Sequence, residues 1–401
     1  MEKSSESLKH KSLFYRHIAQ TSPAPMALDV SHAMGSNIYD SEGKAYLDLI
    51  SGISVSNLGH GQPKIIQAIK DQAEKFLHTM VYGEHIQAPQ TLLAKALIDQ
   101  LGNPFESVYF VNSGSEAIEG AIKLAKRHTN RFEILSFKNA YHGSTHGALS
   151  AMGGNLFSDG YLPLVPGFEK AHFNSFTDLE KITSKHAAVI IEPVQGEAGY
   201  VTANPGFLKA VRQKCDETNT LLIFDEIQSG FGRSGNLFAF QAEDVIPDIL
   251  VMAKGMGGGM PLGAFVSSQS IMSNFMSLPV LGHITTFGGH PVSCAASKAA
   301  LDLILSDNLL SHVKRLEILF KERFAKSGYD LSGKGLMLSI DVKSFENVLK
   351  VVEEAFGKGL LIDWFLFNDH SLRIAPPLNL SEMECDFACS ILIEAIEKLD
   401  I

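Results

Sequence analysis

Two short apolar runs in the middle of the chain each end at a single charged residue. Residues 221–224 precede Asp225, and residues 249–253 precede Lys254. Near-continuous apolar runs of this length predict strands of a parallel sheet that is covered by helices on both faces. Ligands bind outside the carboxyl ends of the strands in such sheets. The two runs therefore bring a carboxylate and an amine to one edge of a predicted sheet.

Lys254 is followed by a glycine-rich stretch, residues 255–259, which leaves room for a ligand beside the amine. Burial disfavours the charged ammonium and lowers its pKa, so that a nucleophilic neutral amine becomes accessible. A lysine at a strand end more often extends into solvent, and Lys254 alone would not indicate a site. The presence of Asp225 at the same predicted edge favours the functional interpretation.

A lysine and a carboxylate at one site match the needs of pyridoxal phosphate. The cofactor requires an amine for its aldehyde and an anion for its pyridine nitrogen. A carboxylate keeps this nitrogen protonated, so that the ring can accept electrons from a substrate carbon. The pair Lys254 and Asp225 therefore predicts a pyridoxal-phosphate site.

The middle of the chain alternates apolar strands with amphipathic helices, which is typical of an α/β fold. We predict a large domain at residues 61–300. Its further elements are strands at 108–111, 134–137, 187–191 and 263–266 and helices near 115–128 and 205–218.

The remaining segments, 1–60 and 301–401, predict a smaller α+β domain. Residues 37–39 and 45–47 flank a turn-forming stretch and predict a hairpin that joins this domain. Its other predicted elements are strands at 336–342 and 371–376 and helices near 308–326, 345–357 and 381–399.

The overall composition limits the classes of partner. The 401 residues carry a formal net charge of −10, and 45% of them are hydrophobic. This balance argues against a general nucleic-acid or anionic-membrane surface. The first residues lack the apolar core of a signal peptide, and no run reaches transmembrane length. The four cysteines form no metal-binding motif, so we expect buried free thiols and a cytoplasmic location.

Several further motifs lie next to predicted strand ends, and each has an ordinary structural explanation when taken alone. Gly114 and Ser115 open a helix and could bind phosphate, or form a simple helix cap. Tyr141 could stack on a cofactor ring, or be a core tyrosine. Gln228 could bond the cofactor's phenolic oxygen, or be a surface amide. Thr286 could complete a phosphate site, or be a turn residue.

Taken together, these residues resemble the class III aminotransferases, a family of fold type I pyridoxal-phosphate enzymes that includes ornithine, acetylornithine and 4-aminobutyrate aminotransferases. The resemblance spans nearly the whole chain. It is most specific at residues 224–235, Phe-Asp-Glu-Ile-Gln-Ser-Gly-Phe-Gly-Arg-Ser-Gly, with Lys254 at the expected distance, and extends through 192–199 and 372–377.

The resemblance implies a fold and a set of roles. The fold would have a large domain with a mainly parallel sheet and a smaller α+β domain. Lys254 would bind the cofactor's aldehyde and later transfer a proton, and Asp225 would hold the ring nitrogen. A homodimer is implied, with Thr286 reaching the neighbouring active site. The other implied cofactor-binding residues are Gly114, Ser115, Tyr141, Glu192 and Gln228.

The resemblance also implies how substrates bind. Arg373 matches the arginine that grips an α-carboxylate, and Glu197 matches the glutamate that covers this arginine for other substrates. The chain departs from many relatives at Ser144, where they have an arginine that binds a remote carboxylate. We therefore expect an amine or ω-amino donor, and a 2-oxo acid such as 2-oxoglutarate or pyruvate as acceptor.

Other functions stay open at this stage. Acetylornithine or 4-aminobutyrate aminotransferase activity is an alternative, as is a pyridoxal-phosphate-dependent aminomutase or racemase. Residues 328–334 fit the glycine and lysine spacing of a P-loop, but Gly335 occupies the position of the magnesium-binding hydroxyl. His142 and His146 are spaced like zinc ligands, but Gly143 replaces the catalytic glutamate of zinc proteases. We therefore expect neither an NTPase nor a metal site.

Overall fold

The computed structural model describes residues 2–306 and 308–399, and side chains from residue 9 onward. The α-helices are Glu2–His17, Ser51–Ser54, Pro63–Lys75, Ala88–Leu101, Gly114–Thr129, His146–Ala151, Phe207–Thr218, Gln269–Met272, Pro291–Ser306, Leu309–Lys326, Phe345–Gly357 and Glu382–Glu397. Short 3-10 turns lie at Asp159–Tyr161, Thr177–Lys181, Ala239–Ala242, Lys254–Gly257 and Ser273–Met276.

A seven-stranded mixed sheet forms the centre of the molecule. The predicted strands of the large domain are all present in it, and Phe168–Ala171 adds an edge strand that the sequence did not predict. In spatial order the strands are Ser107–Val111, Gly263–Ser267, Ile249–Met252, Leu221–Asp225, His186–Ile191, Glu133–Phe137 and Phe168–Ala171.

The two strands that carry the predicted site are direct neighbours in this sheet. Leu221–Asp225 pairs in parallel with Ile249–Met252, and Asp225 lies opposite Val251. Lys254 follows the register partner of Asp225 by three residues. The parallel pairing therefore delivers both charged groups to the carboxyl edge, as the sequence predicted.

The sheet is mainly parallel, as predicted, and the strand Gly263–Ser267 is its antiparallel member. It runs antiparallel to Ile249–Met252 and to Ser107–Val111. The connection from Met252 is short and contains a single 3-10 turn, Lys254–Gly257. A parallel return needs a crossover of a dozen or more residues, and this connection is too short to supply one. The other pairs of the sheet are parallel.

Both faces of the central sheet are buried. Ile223, Ile249 and Val251 pack in one apolar cluster with residues of the helix Gly114–Thr129. Alternate strand residues such as Leu222 pack in the other cluster, together with residues of the helix Pro291–Ser306. Alternation of side chains between two buried faces explains why these strands are apolar throughout.

The remaining strands form smaller sheets, two of which are built from the ends of the chain. The predicted hairpin is confirmed, and its strand Ala45–Asp48 pairs with Leu360–Leu361. One sheet contains Val30–Met34, Asn37–Asp40, Ala45–Asp48 and Leu360–Leu361. Another contains Ser332–Lys334, Met337–Asp341, Ser371–Ile374 and Asp363–Trp364, and a third pairs Val194–Gln195 with Val201–Thr202.

The domain limits, 1–60, 61–300 and 301–401, remain predictions, and residues 1, 307, 400 and 401 of these ranges lie outside the described part.

Residues 332–334, at the end of the P-loop-like segment, form a strand that pairs with Met337–Asp341. This hairpin differs from the strand–loop–helix geometry that binds nucleotide phosphates. The segment is therefore part of a small sheet.

Two expectations about composition concern the chain as a whole. All four cysteines, Cys215, Cys294, Cys385 and Cys389, are buried free thiols, as predicted. Within residues 2–306 and 308–399, no helix combines the length and the apolar composition needed to span a bilayer.

Candidate active site

A cavity of about 410 Å³ opens at the carboxyl edge of the central sheet. We call it the central cavity. Its size is in the range of small-molecule sites. Several of the predicted site residues meet there: the lining residues are Val55, Asn112, Ser113, Gly114, Ser115, Tyr141, His142, Gly143, Glu192, Asp225, Ile227, Gln228, Ala253, Lys254, Gly259, Met260, Pro261 and Leu262.

Lys254 lies on the wall of the central cavity in an unusual backbone conformation. Its φ of 50° is in the left-handed region, which non-glycine residues rarely adopt. Burial among protein atoms lowers the pKa of the amine, although the nearby carboxylates, Glu197 first among them, act in the opposite direction. The result is an amine that loses its proton more readily than an exposed lysine.

Asp225 is held by contacts to both of its carboxylate oxygens. Oδ2 lies 2.7 Å from Nδ1 of His142, and Oδ1 accepts the amide of Ile227 at 3.0 Å. Both Asp225 and His142 are buried. These contacts fix the orientation of the carboxylate at the cavity wall. Sequence reasoning considered His142 only as a rejected zinc ligand and did not predict this contact.

The first turn of the helix Gly114–Thr129 presents free amides to the central cavity. Ser113 caps this helix, and its hydroxyl accepts the amide of Glu116 at 3.2 Å. The amides of Gly114 and Ser115, at the first two helical positions, have no intrahelical acceptor. An anion at this point gains both their hydrogen bonds and the favourable end of the helix dipole.

Glu192 links the loop that carries Tyr141 to the segment that follows the strand Val194–Gln195. Its Oε1 accepts the amide of Tyr141 at 3.0 Å, and its Oε2 accepts the amide of Gly196 at 2.8 Å. Burial, followed by the nearby charge of Asp225, raises the pKa of Glu192. Tyr141 thereby has a fixed backbone position beside the cavity.

Gly143 allows the loop after Tyr141 to pass close to the first turn of the helix Gly114–Thr129. Its φ is +129°, and a Cβ at this position would lie 2.1 Å from Oγ of Ser115. Any other residue would displace Ser115 or the loop. The requirement for glycine explains how Tyr141 and Ser115 approach each other from separate elements.

Two predicted cofactor residues differ in their placement. Gln228 lines the central cavity, and its amide donates to the hydroxyl of Tyr200 at 3.3 Å. Thr286 is exposed and does not line the central cavity of its own chain. The neighbouring Thr285 accepts a hydrogen bond from the side chain of Asn112 at 3.1 Å. The role of Thr286 in a neighbouring site therefore remains a prediction.

Arg373 and Glu197 form a buried bidentate ion pair, with N–O distances of 3.0 and 2.8 Å. A third charge, Asp363, lies 3.2 Å from Nε of Arg373 and was not predicted. Burial alone would lower the pKa of this guanidinium, but Tyr200, Asp363 and Glu197 outweigh it and raise the pKa. Neither residue lines the central cavity, but Glu197 directly follows Gly196, whose amide donates to Glu192 on the cavity wall.

The residues of the central cavity fit pyridoxal phosphate by the chemistry of their groups. Lys254 offers a readily deprotonated amine, and Asp225 offers an oriented carboxylate on the same wall. The free amides of Gly114 and Ser115 suit the phosphate, and Tyr141 offers an aromatic face. One small cavity thus contains a partner for the aldehyde, the ring nitrogen and the phosphate of the cofactor.

Comparisons with known proteins identify the family. The family model "Aminotransferase class-III" matches residues 18–396. The chain belongs to the class III aminotransferases. It is 40% identical to an acetylornithine aminotransferase from Methanocaldococcus jannaschii, over 91% of this chain and 92% of that protein.

Solved aminotransferase structures have the same fold. The superposition with a Bacillus anthracis aminotransferase covers 99% of this chain and 99% of that one, with a TM-score of 0.92 and 27% identity. A PLP-bound amine transaminase from an uncultivated Pseudomonas species covers 96% of this chain and 98% of that one, with a TM-score of 0.88 and 25% identity. The predicted fold type, the pyridoxal phosphate cofactor and the aminotransferase activity are therefore confirmed.

The class III assignment leaves the role of each residue to be tested, and Asp225 gives the sharpest test. We predict that Asp225→Asn lowers the affinity for pyridoxal phosphate and the turnover, because a charge-assisted hydrogen bond is lost. Such a bond contributes about 1.5–3 kcal/mol, which corresponds to a roughly 10- to 150-fold weaker cofactor affinity. Equilibrium titration of the cofactor-free enzyme and steady-state kinetics measure both effects.

Asp248→Asn is a matched control for this prediction. Asp248 accepts the amide of Leu222 and pairs with Arg212, and it does not line the central cavity. We expect this variant to keep the native cofactor affinity. Unchanged affinity and turnover in Asp225→Asn would contradict the assigned role.

Proposed function

We propose that this aminotransferase moves an amino group from an amine or ω-amino donor to a 2-oxo acid such as 2-oxoglutarate or pyruvate. The observation that carries the proposal is the environment of Ser144. Its hydroxyl lies 3.2 Å from the hydroxyl of Tyr141, beside the central cavity. A hydroxyl offers no positive charge to a remote carboxylate, so donors without a carboxylate there are favoured.

Lys254 is proposed to be the group that moves protons. Pyridoxal phosphate, when bound, supplies an aldehyde that accepts the amino group and a ring that accepts electrons from the donor carbon. The amine of Lys254, with its lowered pKa, would accept the proton from this carbon and deliver it to the carbon that comes from the cofactor's aldehyde, on the other side of the transferred nitrogen. Asp225 keeps a proton at the ring nitrogen, which supports the electron acceptance.

The remaining cavity residues are proposed to orient the cofactor. The amides of Gly114 and Ser115 bind the phosphate, and the ring of Tyr141 stacks against the pyridine ring. Gln228 bonds the phenolic oxygen of the cofactor. Glu192 lies close to the polar edge of the cofactor and fixes the loop of Tyr141 through its backbone amide. These roles are supported by the positions of all five residues on the wall of the central cavity.

Arg373 and Glu197 are proposed to serve two different substrates in turn. With an amine donor, Glu197 stays paired with Arg373 and neutralises it. With a 2-oxo acid, the carboxylate replaces Glu197 and makes the same bidentate contact with the guanidinium. The ion pair thus allows one site to accept a neutral group and an anion alternately.

A second candidate donor is N²-acetylornithine. Its support is the name of several relatives, which are called acetylornithine aminotransferases and are 37–40% identical to this chain. Such a donor carries an α-carboxylate together with the reacting amine. Ser144 is the feature that argues against it, and also against 4-aminobutyrate.

Single turnover without an acceptor tests the proposed donor class. We predict that the wild-type enzyme releases one equivalent of carbonyl product per site from an amine donor, and much less in the same time from 4-aminobutyrate or N²-acetylornithine. Ser144→Arg should raise the rate with 4-aminobutyrate about tenfold, since one ion-pair contact contributes about 1.4 kcal/mol or more when it is partly buried. Product quantification at fixed times measures the rates.

Ser144→Gln is the control, because it adds length without charge and should produce no gain. Equal rates with amine and carboxylate donors in the wild type, or no gain in Ser144→Arg, would contradict the proposed donor class. Release of no carbonyl product from any donor would contradict transamination and favour an aminomutase.

We also propose a homodimer in which Thr286 completes the phosphate site of the neighbouring subunit. Thr286 is exposed, and the segment around it exposes large apolar side chains that a partner subunit could cover. Those side chains are Met276, Leu278, Val280, Leu281, Ile284 and Phe287.

Subunit complementation tests this arrangement. We predict that Lys254→Ala has no activity and that Thr286→Ala has reduced activity because its phosphate site lacks a hydroxyl. After unfolding and joint refolding, mixed dimers contain one site with both Lys254 and Thr286. Activity should therefore exceed the sum of the two separately refolded variants. Absence of this gain, with dimers confirmed by sedimentation, would contradict the shared site.

A cytoplasmic location is proposed on the basis of the cysteines. All four are buried free thiols, which is typical of proteins in reducing compartments.

A further inference from the structure

A second cavity of about 440 Å³ lies beside the central cavity. We call it the side cavity. Several separate segments contribute to its wall, including the N-terminal region and the loop after the strand Asp363–Trp364. Its lining residues are Thr21, Tyr141, Ser144, His146, Leu149, Met152, Phe157, Tyr161 and Leu366.

The side cavity is next to the reacting groups. Tyr141 lines both cavities, and its hydroxyl contacts Ser144 on the side-cavity wall. Leu366 lies on the same wall, and its amide donates to Oε2 of Glu197 at 3.2 Å. The side cavity is thus bounded by the proposed cofactor-stacking residue and by a neighbour of the Arg373–Glu197 pair. Both boundaries belong to the proposed substrate path.

The wall of the side cavity is mainly apolar. Leu149 and Met152 are buried at its base, and Phe157, Tyr161 and Leu366 are further lining residues. Among the described residues that line it, none is a lysine, arginine, aspartate or glutamate. A carboxylate in this cavity would lose its hydration and gain no lysine or arginine partner, and His146 is the one titratable side chain besides the two tyrosines among these lining residues. An apolar group would instead exchange water for aliphatic and aromatic contacts.

We propose that the side cavity binds the remote part of the amino donor, and that this part is an aryl or branched alkyl group without a carboxylate. The proposal rests on the proposed function and deepens it by naming the substrate class. Leu149, Met152, Phe157 and Leu366 are the residues that select this group, while Lys254 acts on the amine. The reaction itself is unchanged, because the amino group still passes to a 2-oxo acid.

Packing against adjacent structure gives the aromatic part of the wall a defined position. Phe157 makes an edge-to-face contact with Phe367, with ring centroids 5.4 Å apart. The amide of Phe367 in turn donates to the carbonyl of Glu197 at 3.0 Å. One connected set of contacts therefore joins the side-cavity wall to the residue that covers Arg373. This arrangement fixes the position of the apolar wall relative to the Arg373–Glu197 pair.

A pair of amines that differ in one group tests the proposal. 1-Phenylethylamine and isopropylamine both carry the amine next to a methyl group, and the phenyl ring of the first replaces the second methyl group of the other. We expect kcat/KM to be at least about tenfold higher for 1-phenylethylamine, since burial of a phenyl ring is strongly favourable. 4-Aminobutyrate is the third donor, and it should be the poorest of the three.

Leu366→Arg is the diagnostic variant, because it puts a positive charge on the side-cavity wall. Leu366 is 43% exposed, so the substitution buries little charge. We expect kcat/KM to fall at least about tenfold for 1-phenylethylamine, to change little for isopropylamine and to rise for 4-aminobutyrate. Leu349→Arg is the matched control, since Leu349 is 44% exposed and lines neither cavity.

Thermal unfolding first verifies that the variants are folded, and Tyr161→Arg replaces Leu366→Arg if the latter is not. Equal kcat/KM values for the two amines, or an equal loss for all three donors in the variant but not in the control, would overturn the proposal. Such results would still include carbonyl product and would leave transamination intact. Absence of product from every donor would overturn the proposed function itself.

Discussion

The parallel pairing of the strands that end near Asp225 and Lys254 is the constraint on which the active site depends. Asp225 lies opposite Val251, so the following residues of both strands emerge at one edge of the sheet. Apolar packing on both faces holds these strands, and it makes a one-residue slip costly because every side chain would change face. A carboxylate and an amine, 29 residues apart in sequence, thereby face one cavity.

Hydrogen bonds from other elements fix the orientation of the side chains and loops at this edge. His142 and the amide of Ile227 orient Asp225, and Glu192 fixes the loop of Tyr141. Orientation before substrate binding lowers the cost of reorganisation during the reaction. The guanidinium of Arg373 is likewise oriented by its bidentate contact with Glu197.

The sequence predicted those parts of the molecule that depend on local pattern. Apolar runs identified the strands at Asp225 and Lys254, because burial on both faces imposes that composition. The edge strand Phe168–Ala171 was missed since Phe-Glu-Lys-Ala has no apolar run, and it pairs on one side only. The contact between His142 and Asp225 joins residues 83 positions apart. No local pattern reports such a contact, and the proposed role of Thr286 concerns a second chain.

Covalent trapping of the cofactor tests the central claim most directly. Borohydride reduction of the purified holoenzyme, followed by peptide mapping, should place the cofactor mass on Lys254, and Lys254→Ala should carry no such mass. A useful internal comparison is Lys170, a half-buried lysine whose pKa is lowered to about 7 by desolvation. Cofactor mass on Lys170 or another lysine of the native enzyme, or an adduct that persists at the native level in Lys254→Ala, would contradict the account.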